Sequence, residues 1–411
     1  CLDSHGDGGR LPGNHGILRF PMARIPETLL GDLDPSTFLR DYWQQRPLLI
    51  RGALPGFRSP VTPEELAGLA LQEEVESRLV RELDGPPWWS LEHGPFPEDR
   101  FADLPPTRWT LLVQGANRHV PELADLLEHF RFIPDWRVDD LMVSYAPEGG
   151  SVGPHTDQYD VFLLQGQGRR RWSIGNAPCG DEDLLPDIPL RILRDFEPDH
   201  TWVLEPGDML YLPPGIPHHG EALGPCQTLS VGFRAPAHTD LVTAFLEETA
   251  ERVAAEGRFS DPGRAEPENP GALDAPSRAR AREVLRRALD DDAALDAFFG
   301  RFVTAPDHEQ DLRPDPPLTE SAVRARVATP EPLWRSEFSR FAFYEESDGA
   351  RLFVDGHEHW LGGTLAPAAA FLCRHRRYPA AELAEWLDVA GFPALLTELV
   401  NAGALYFPEE A

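Results

Sequence analysis

The stretch Gly149–Trp172, GGSVGPHTDQYDVFLLQGQGRRRW, decides the fold. Its apolar and polar residues alternate, and a period of two puts the side chains of His155 and Asp157 on one face of a strand. A second stretch, Leu204–Gly220, LEPGDMLYLPPGIPHHG, runs from a strand-like segment into a Pro-Gly turn that presents His218. Gly149 stands six residues before His155, while Gly207, Pro213, Gly215 and His218 follow the order G-x5-P-x-G-x2-H. Each glycine or proline there has a backbone task, because turns between short strands need a positive φ or a preset one.

Two imidazoles and a carboxylate on one face of an octahedral metal leave adjacent positions open for a bidentate 2-oxo acid and dioxygen, as in a mononuclear Fe(II) centre. A closed structural zinc site leaves none. His155, Asp157 and His218 are therefore the candidate metal ligands and catalytic residues. His219 adjoins His218, and periodicity through Pro-Pro-Gly-Ile-Pro does not decide which imidazole faces inward; the motif spacing favours His218. The chain contains no lysine, so a cation beside the metal has to be an arginine. Arg170 shares a strand face with Trp172, lies fifteen residues after His155 across a hairpin, and is the candidate fork for the distal carboxylate of the 2-oxo acid. Arg169 and Arg171 read as solvated.

The two motif stretches resemble the paired motifs of the cupin superfamily, with Ala222 where the general pattern often has asparagine. Extended to DLMVSYAPEGG…RRRWSIG and LEPGDMLYLPPGIPHHGEAL…LSVGFRAP, and joined by FLRDYWQQRPLLIRGAL and ESRLV upstream, they closely resemble the bacterial ribosomal oxygenases of the JmjC type, arginine hydroxylases of large-subunit ribosomal protein L-sixteen. The resemblance runs from Met22 onward. It implies an α+β fold with a mainly β core, a double-stranded β-helix (the cupin/JmjC barrel), followed by a helical dimerisation segment and a C-terminal winged-helix module. It also implies Fe(II) held by His155, Asp157 and His218, 2-oxoglutarate held by Arg170, and dioxygen as oxidant. 2-Oxoglutarate would leave as succinate and carbon dioxide while a hydroxyl enters at C3 of an arginine in a basic ribosomal protein, and the enzyme would work as a homodimer. Histidyl hydroxylation and lysyl demethylation are alternatives on the same fold. From other classes, a non-oxygenase metal-binding cupin would not need Arg170, and a protein-interaction scaffold would tolerate loss of the metal.

A guanidinium guest calls for a carboxylate, an aromatic face or both. Asp140 and Ser144 share a face of the strand leading to His155, and Tyr159 shares the face of His155 and Asp157. Ser230 on a late strand offers a hydroxyl. Asp140, Tyr159 and Ser230 are the candidate substrate contacts, and Ser144 is assigned to the 2-oxoglutarate pocket. His357-Glu358-His359 alternates like a metal site but follows a turn on a hairpin edge and reads as solvated.

At 411 residues the chain has room for two or three domains. A formal net charge of −30 disfavours direct nucleic-acid binding and suits a basic protein partner, although adaptation to high salt gives the same signature. Cys1, Cys179, Cys226 and Cys373 form neither metal spacing nor a disulfide framework, which points to a reducing cytoplasm. No apolar run approaches a membrane span.

Residues 1–21 lack periodicity and read as a disordered upstream segment before Met22. The catalytic domain is expected over 22–236, the helical dimerisation region over 237–318 and the winged-helix module over 319–411. Within these, Asp34 caps a helix, and Thr62-Pro63-Glu64-Glu65 opens a second that runs to about Val80. The barrel spans Trp109 to Phe233. Further helices are read at Asp240–Glu256 and Arg278–Phe302, then hairpin turns at Asp348-Gly349 and Asp355-Gly356, and short helices near Pro367–Arg374, Ala380–Ala390 and Pro393–Ala402.

Overall fold

The computed structural model describes residues 29–175, 180–252, 257–306, 311–329 and 333–408; the segment 1–21, Met22, Cys1 and Cys179 lie outside them. Asp34 caps α1 (Pro35–Asp41), accepting from the Thr37 amide at 3.0 Å. After β1 (Leu48–Ile50), the Thr62–Glu65 capping box opens α2 (Pro63–Leu69). The expected continuation to Val80 does not occur. Ser77–Glu82 instead forms β2, flanked by β3 (Trp89–His93) and β4 (Trp109–Val113), because antiparallel ladders to both neighbours outweigh local helical preference. The sheet thus begins well before Trp109.

The helix α3 (Pro121–Leu127) precedes β5 (Val138–Ala146), β6 (Asp160–Gln167), β7 (Arg170–Ile174), β8 (His200–Leu204), β9 (Met209–Leu212), β10 (His218–Ala222) and β11 (Cys226–Phe233). Among the described residues the strands form a large sheet, ordered β1-β9-β6-β11-β5-β4-β2-β3, and a small one, β10-β7-β8. Period-two alternation divides the large sheet's faces. Leu141, Val143, Leu229, Val231 and Phe233 pack outward onto Phe38, Leu66, Leu123 and Phe130. Val161, Leu163, Leu210 and Leu212 pack inward onto Trp172, Ile174 and Leu204 of the small sheet. Each such buried side chain contributes about 1.5–3 kcal/mol. These two facing sheets are the double-stranded β-helix. Gly220 is required opposite Trp172 in the β10–β7 ladder: a Cβ there would lie 2.7 Å from the indole ring.

Two local expectations are corrected. The alternating stretch becomes a strand only from Asp160; His155 makes a single antiparallel bridge to His218, and Asp157 lies in the loop between. Gly153, at φ +80°, and Pro154, without an N–H, keep the preceding segment out of a ladder. Nor do β6 and β7 form a hairpin. β7 crosses to the small sheet and pairs with β8 and β10, so Arg170 faces Ala222 across one ladder and Leu204 across the other.

Beyond the barrel come α4 (His238–Arg252), α5 (Ala275–Leu289) and α6 (Asp292–Thr304). The single helix expected over Arg278–Phe302 is broken in two, because Asp291 accepts from the Ala294 amide and caps a new helix. The C-terminal part holds α7 (Glu320–Val327), β12 (Leu333–Arg335), the meander β13 (Phe341–Glu346), β14 (Gly349–Val354) and β15 (His357–Gly362), and α8 (Pro367–Arg374). It ends with β16 (Arg377–Tyr378), α9 (Ala380–Trp386), α10 (Phe392–Asn401) and β17 (Leu405–Tyr406). Helices wrapped on a small meander around their own core, Phe371, Leu372, Phe392 and Leu396 among its members, make this the winged-helix module.

Candidate metal centre and substrate pocket

His155, Asp157 and His218 converge where the loop before β6 meets the start of β10, with one donor atom from each within 4.8 Å of the others. His155 Nε2 is 3.9 Å from Asp157 Oδ1, and His218 Nε2 is 3.6 Å from Asp157 Oδ2. Each ring holds its Nδ1 2.9 Å from a backbone carbonyl, that of Gly153 for His155 and that of Ile216 for His218. A carbonyl only accepts, so Nδ1 carries the proton and the Nε2 lone pair faces the shared centre. Burial, with His155 acting in the same direction, pushes the His218 imidazole down to about 4 despite nearby Asp157, which keeps it neutral at physiological pH. Two imidazoles oriented by their carbonyl partners and a carboxylate, their donor atoms converging, fit a divalent metal.

His219 is not part of this cluster. On the pleat it alternates with His218, opposes Ser173, and sets its Nε2 3.0 Å from Ser151 Oγ. Among the described residues no other set of three such donors lies as close together. In the His357-Glu358-His359 run, Glu358 binds Arg301 and Arg351, and His359 lies 3.7 Å from Glu398.

Strand register fixes depth. His218 faces Ile174 and Ala222 faces Arg170, so Arg170 lies two inward-facing positions below the metal cluster on the same inner face. Its side chain is 3 % exposed, its guanidinium stands over Trp172, and Nε and Nη2 have no hydrogen-bond partner. A buried guanidinium with two unpartnered nitrogens is costly unless an anion meets it, and a terminal carboxylate fits that need. At the same depth the large sheet places Ser144, Thr228 and Gln165 in one row, with Thr228 Oγ1 donating to Gln165 Oε1. Ser144 is buried and its hydroxyl contacts the Thr228 carbonyl only at 3.4 Å.

Toward the mouth, Asp140 pairs in register with Gly232, and Ser230 lies buried one inward position deeper. Asp140 is not the solvated turn residue that a surface Asp-Asp pair suggests: it is buried, and its Oδ2 accepts from Gln114 Nε2 at 2.7 Å and the Gly115 amide at 2.6 Å. Burial and then Asp139 raise its carboxyl above the ordinary range, against the pull of those two donors and Arg118. Tyr159 is partly exposed, and burial, followed by the charges of Asp157 and Asp140, raises its ionisation well above that of a free tyrosine. Gln114, Arg78 and Gly232 were not legible as site residues in the sequence. They lie on or just beyond strands that only the sheet order brings next to Asp140, and no local motif marks them.

Residues 125–241 match the JmjC domain family and residues 287–406 the ROXA-like winged helix. The chain is 36 % identical to the Escherichia coli ribosomal protein uL16 3-hydroxylase over 90 % of its own length and 96 % of that protein. It is 43 % identical to a probable ribosomal oxygenase of Haemophilus influenzae over about half of each chain, 51 % and 52 %. The solved structure of YcfD, a ribosomal oxygenase from E. coli, in complex with cobalt and 2-oxoglutarate aligns with a TM-score of 0.80 at 35 % identity, covering 92 % of this chain and 98 % of that one.

Proposed function

The chain belongs to the JmjC-domain ribosomal oxygenases, an Fe(II)- and 2-oxoglutarate-dependent family of dioxygenases, and from that premise we propose that it hydroxylates C3 of an arginine side chain in ribosomal protein uL16. The observation that carries the chemistry is Arg170: a buried, half-unpaired guanidinium on the inner face that also bears His218. A non-oxygenase cupin would leave that desolvation cost unmet.

In this reading His155 and His218 ligate through Nε2 and Asp157 through a carboxylate oxygen, while Arg170 forks the distal carboxylate of 2-oxoglutarate and Ser144 contacts it. When bound, Fe(II) with 2-oxoglutarate and dioxygen supplies the oxidising chemistry, one oxygen atom entering the substrate and the other entering succinate as carbon dioxide leaves. The Gly153 and Ile216 carbonyls hold the ligand rings in their tautomer, and Trp172, Ile174, Val161 and Leu163 keep the barrel interior dry. Asp140 and Tyr159 receive the target guanidinium, with Ser230 offering its hydroxyl, so that C3 rather than the charged end lies toward the metal. The acidic chain draws in a basic substrate.

The domains run over 22–236, 237–318 and 319–411. The middle segment makes a homodimer through the exposed apolar side chains of α4 and α5, Val242, Leu246, Val284, Leu285 and Leu289. Among the described residues no helix is long and apolar enough to cross a membrane, and the site of action is the cytoplasm, where ribosomal proteins are made. Mass spectrometry of uL16 incubated with the Fe(II)-loaded enzyme and 2-oxoglutarate tests the assignment. One added oxygen on an arginine-bearing peptide, lost with Asp157→Ala, is expected. An unmodified uL16 alongside normal succinate production would overturn the substrate.

A further inference from the structure

Asp140 does not stand alone. Gln114 follows β4 directly, and its side chain bridges two charged groups: Oε1 accepts from Arg78 Nη2 at 2.9 Å, and Nε2 donates to Asp140 Oδ2 at 2.7 Å. The chemistry of the neighbours dictates that orientation, since a guanidinium can only donate and a carboxylate only accepts. The adjoining turn is fastened to β5 twice more, by the Gly115 amide on Asp140 Oδ2 and by Asn117 Oδ1 accepting from the Leu141 amide at 2.7 Å. Gly115 itself has φ +58°, a left-handed backbone conformation that favours glycine.

Both donors fall on Oδ2. The other oxygen, Oδ1, faces the space above Gly232, where an added Cβ would meet Oδ1 at 3.6 Å and the Tyr159 ring at 3.9 Å. We propose that Gln114 is a positioning residue for substrate recognition: fixed by Arg78, it holds Oδ2 of Asp140 so that Oδ1 is presented to the guanidinium entering between Gly232 and Tyr159. The proposal rests on the reading of Asp140 as a substrate contact. Without Gln114 the carboxylate is free to turn and spend its second oxygen on Gly115. The consequence is confined to substrate affinity, because Gln114 contacts neither the metal ligands nor Arg170.

The test compares Gln114→Leu, Arg78→Met, Asp140→Asn and the double variant Gln114→Leu/Asp140→Asn in the full-length Fe(II)-loaded enzyme with a uL16 fragment. Gln114→Leu is expected to raise the KM for the fragment roughly tenfold, as loss of a hydrogen bond to a charged acceptor would, with kcat at saturation changing less than about twofold. Arg78→Met, which frees the amide to flip, should raise KM in the same direction but less. In the Asp140→Asn background, Gln114→Leu should add nothing. A strong KM effect of Asp140→Asn with an unchanged KM for both Gln114→Leu and Arg78→Met would overturn the positioning role alone, as would additivity in the double variant. An unchanged KM for Asp140→Asn would instead bring down the underlying reading of Asp140. Should Gln114→Leu fold poorly, Arg78→Met, alone and in the Asp140→Asn background, carries the same comparison.

Discussion

Arg170 and Arg376 are the same residue type, buried to a similar degree at 3 % and 6 % exposure, and they differ in what meets them. Arg376 lies where the winged-helix module joins the barrel, with Nη1 on Glu337 and Nη2 on Asp125. Around it Arg377 also binds Asp125, Arg335 binds Asp135, and Arg131 reaches from the barrel side to the Cys373 and Arg374 carbonyls. Arg170 has no such carboxylate; its Nε and Nη2 are unpaired inside the barrel. A buried cation that is paired serves the architecture, whereas one left open carries a desolvation cost that only a ligand relieves. The two sites therefore predict opposite consequences for one kind of substitution.

The largest effect is expected at the module interface. Arg376→Met removes the cation that Glu337 and Asp125 share. Asp125 keeps Arg377, but buried Glu337 keeps, among the described residues, only the Tyr406 hydroxyl. The change should cost about 3 kcal/mol of stability, measured by denaturant unfolding of the metal-free protein. If Arg376→Met were as stable as the parent, the interface network would be ornamental and the contrast would fail.

Arg170→Met sharpens the comparison from the other side. It removes an unmet charge, so stability of the metal-free protein should hold or rise. Yet the KM for 2-oxoglutarate should increase by roughly one to two orders of magnitude, the equivalent of about 1.5–3 kcal/mol for a charged hydrogen-bonded contact. Thermal shift by 2-oxoglutarate in the presence of an inert divalent metal reads the same loss without turnover. Destabilisation comparable to that of Arg376→Met would show that Arg170 is structural after all.

A smaller, few-fold effect should separate the mouth of the barrel from its depth. Burial first, and Asp139 second, raise the Asp140 carboxyl above its usual range, while Gly115, Arg118 and Gln114 oppose them. Only the ionised form attracts a guanidinium, so affinity for the uL16 fragment should be full above that raised value and fall as pH drops through it. The KM for 2-oxoglutarate should not follow the same limb. A limb that persists unchanged in Asp140→Asn belongs to some other group.

The convergence of the candidate metal ligands was the most legible feature of the candidate site. His155 and Asp157 are two residues apart, and His218 sits at a fixed offset from Gly207 and Gly215, whose positive φ values of +90° and +78° are the backbone feature those glycines announce. The shared strand face of Arg170 and Trp172 followed from their spacing of two, and burial places both on the inner side. The expected hairpin partner of Arg170 was wrong, since β7 leaves the sheet of β6 and joins the small one. The helix drawn through Val80 failed for a similar reason: a residue run compatible with two local conformations was decided by ladder partners about thirty residues away.

By itself the sequence determined the local periodicities, the turns, the helix caps at Asp34 and Thr62, and the donor types available to a metal and a keto acid, because each depends on residues a few positions apart. Tertiary structure alone decided that His218 rather than His219 joins His155 and Asp157, that Arg170 is open while Arg376 is paired, and that Gln114 and Arg78 stand behind Asp140. These depend on which strands become neighbours and in what register. A one-residue slip would exchange inner and outer faces, and the register is fixed by burial summed over the whole sheet rather than by any segment of it.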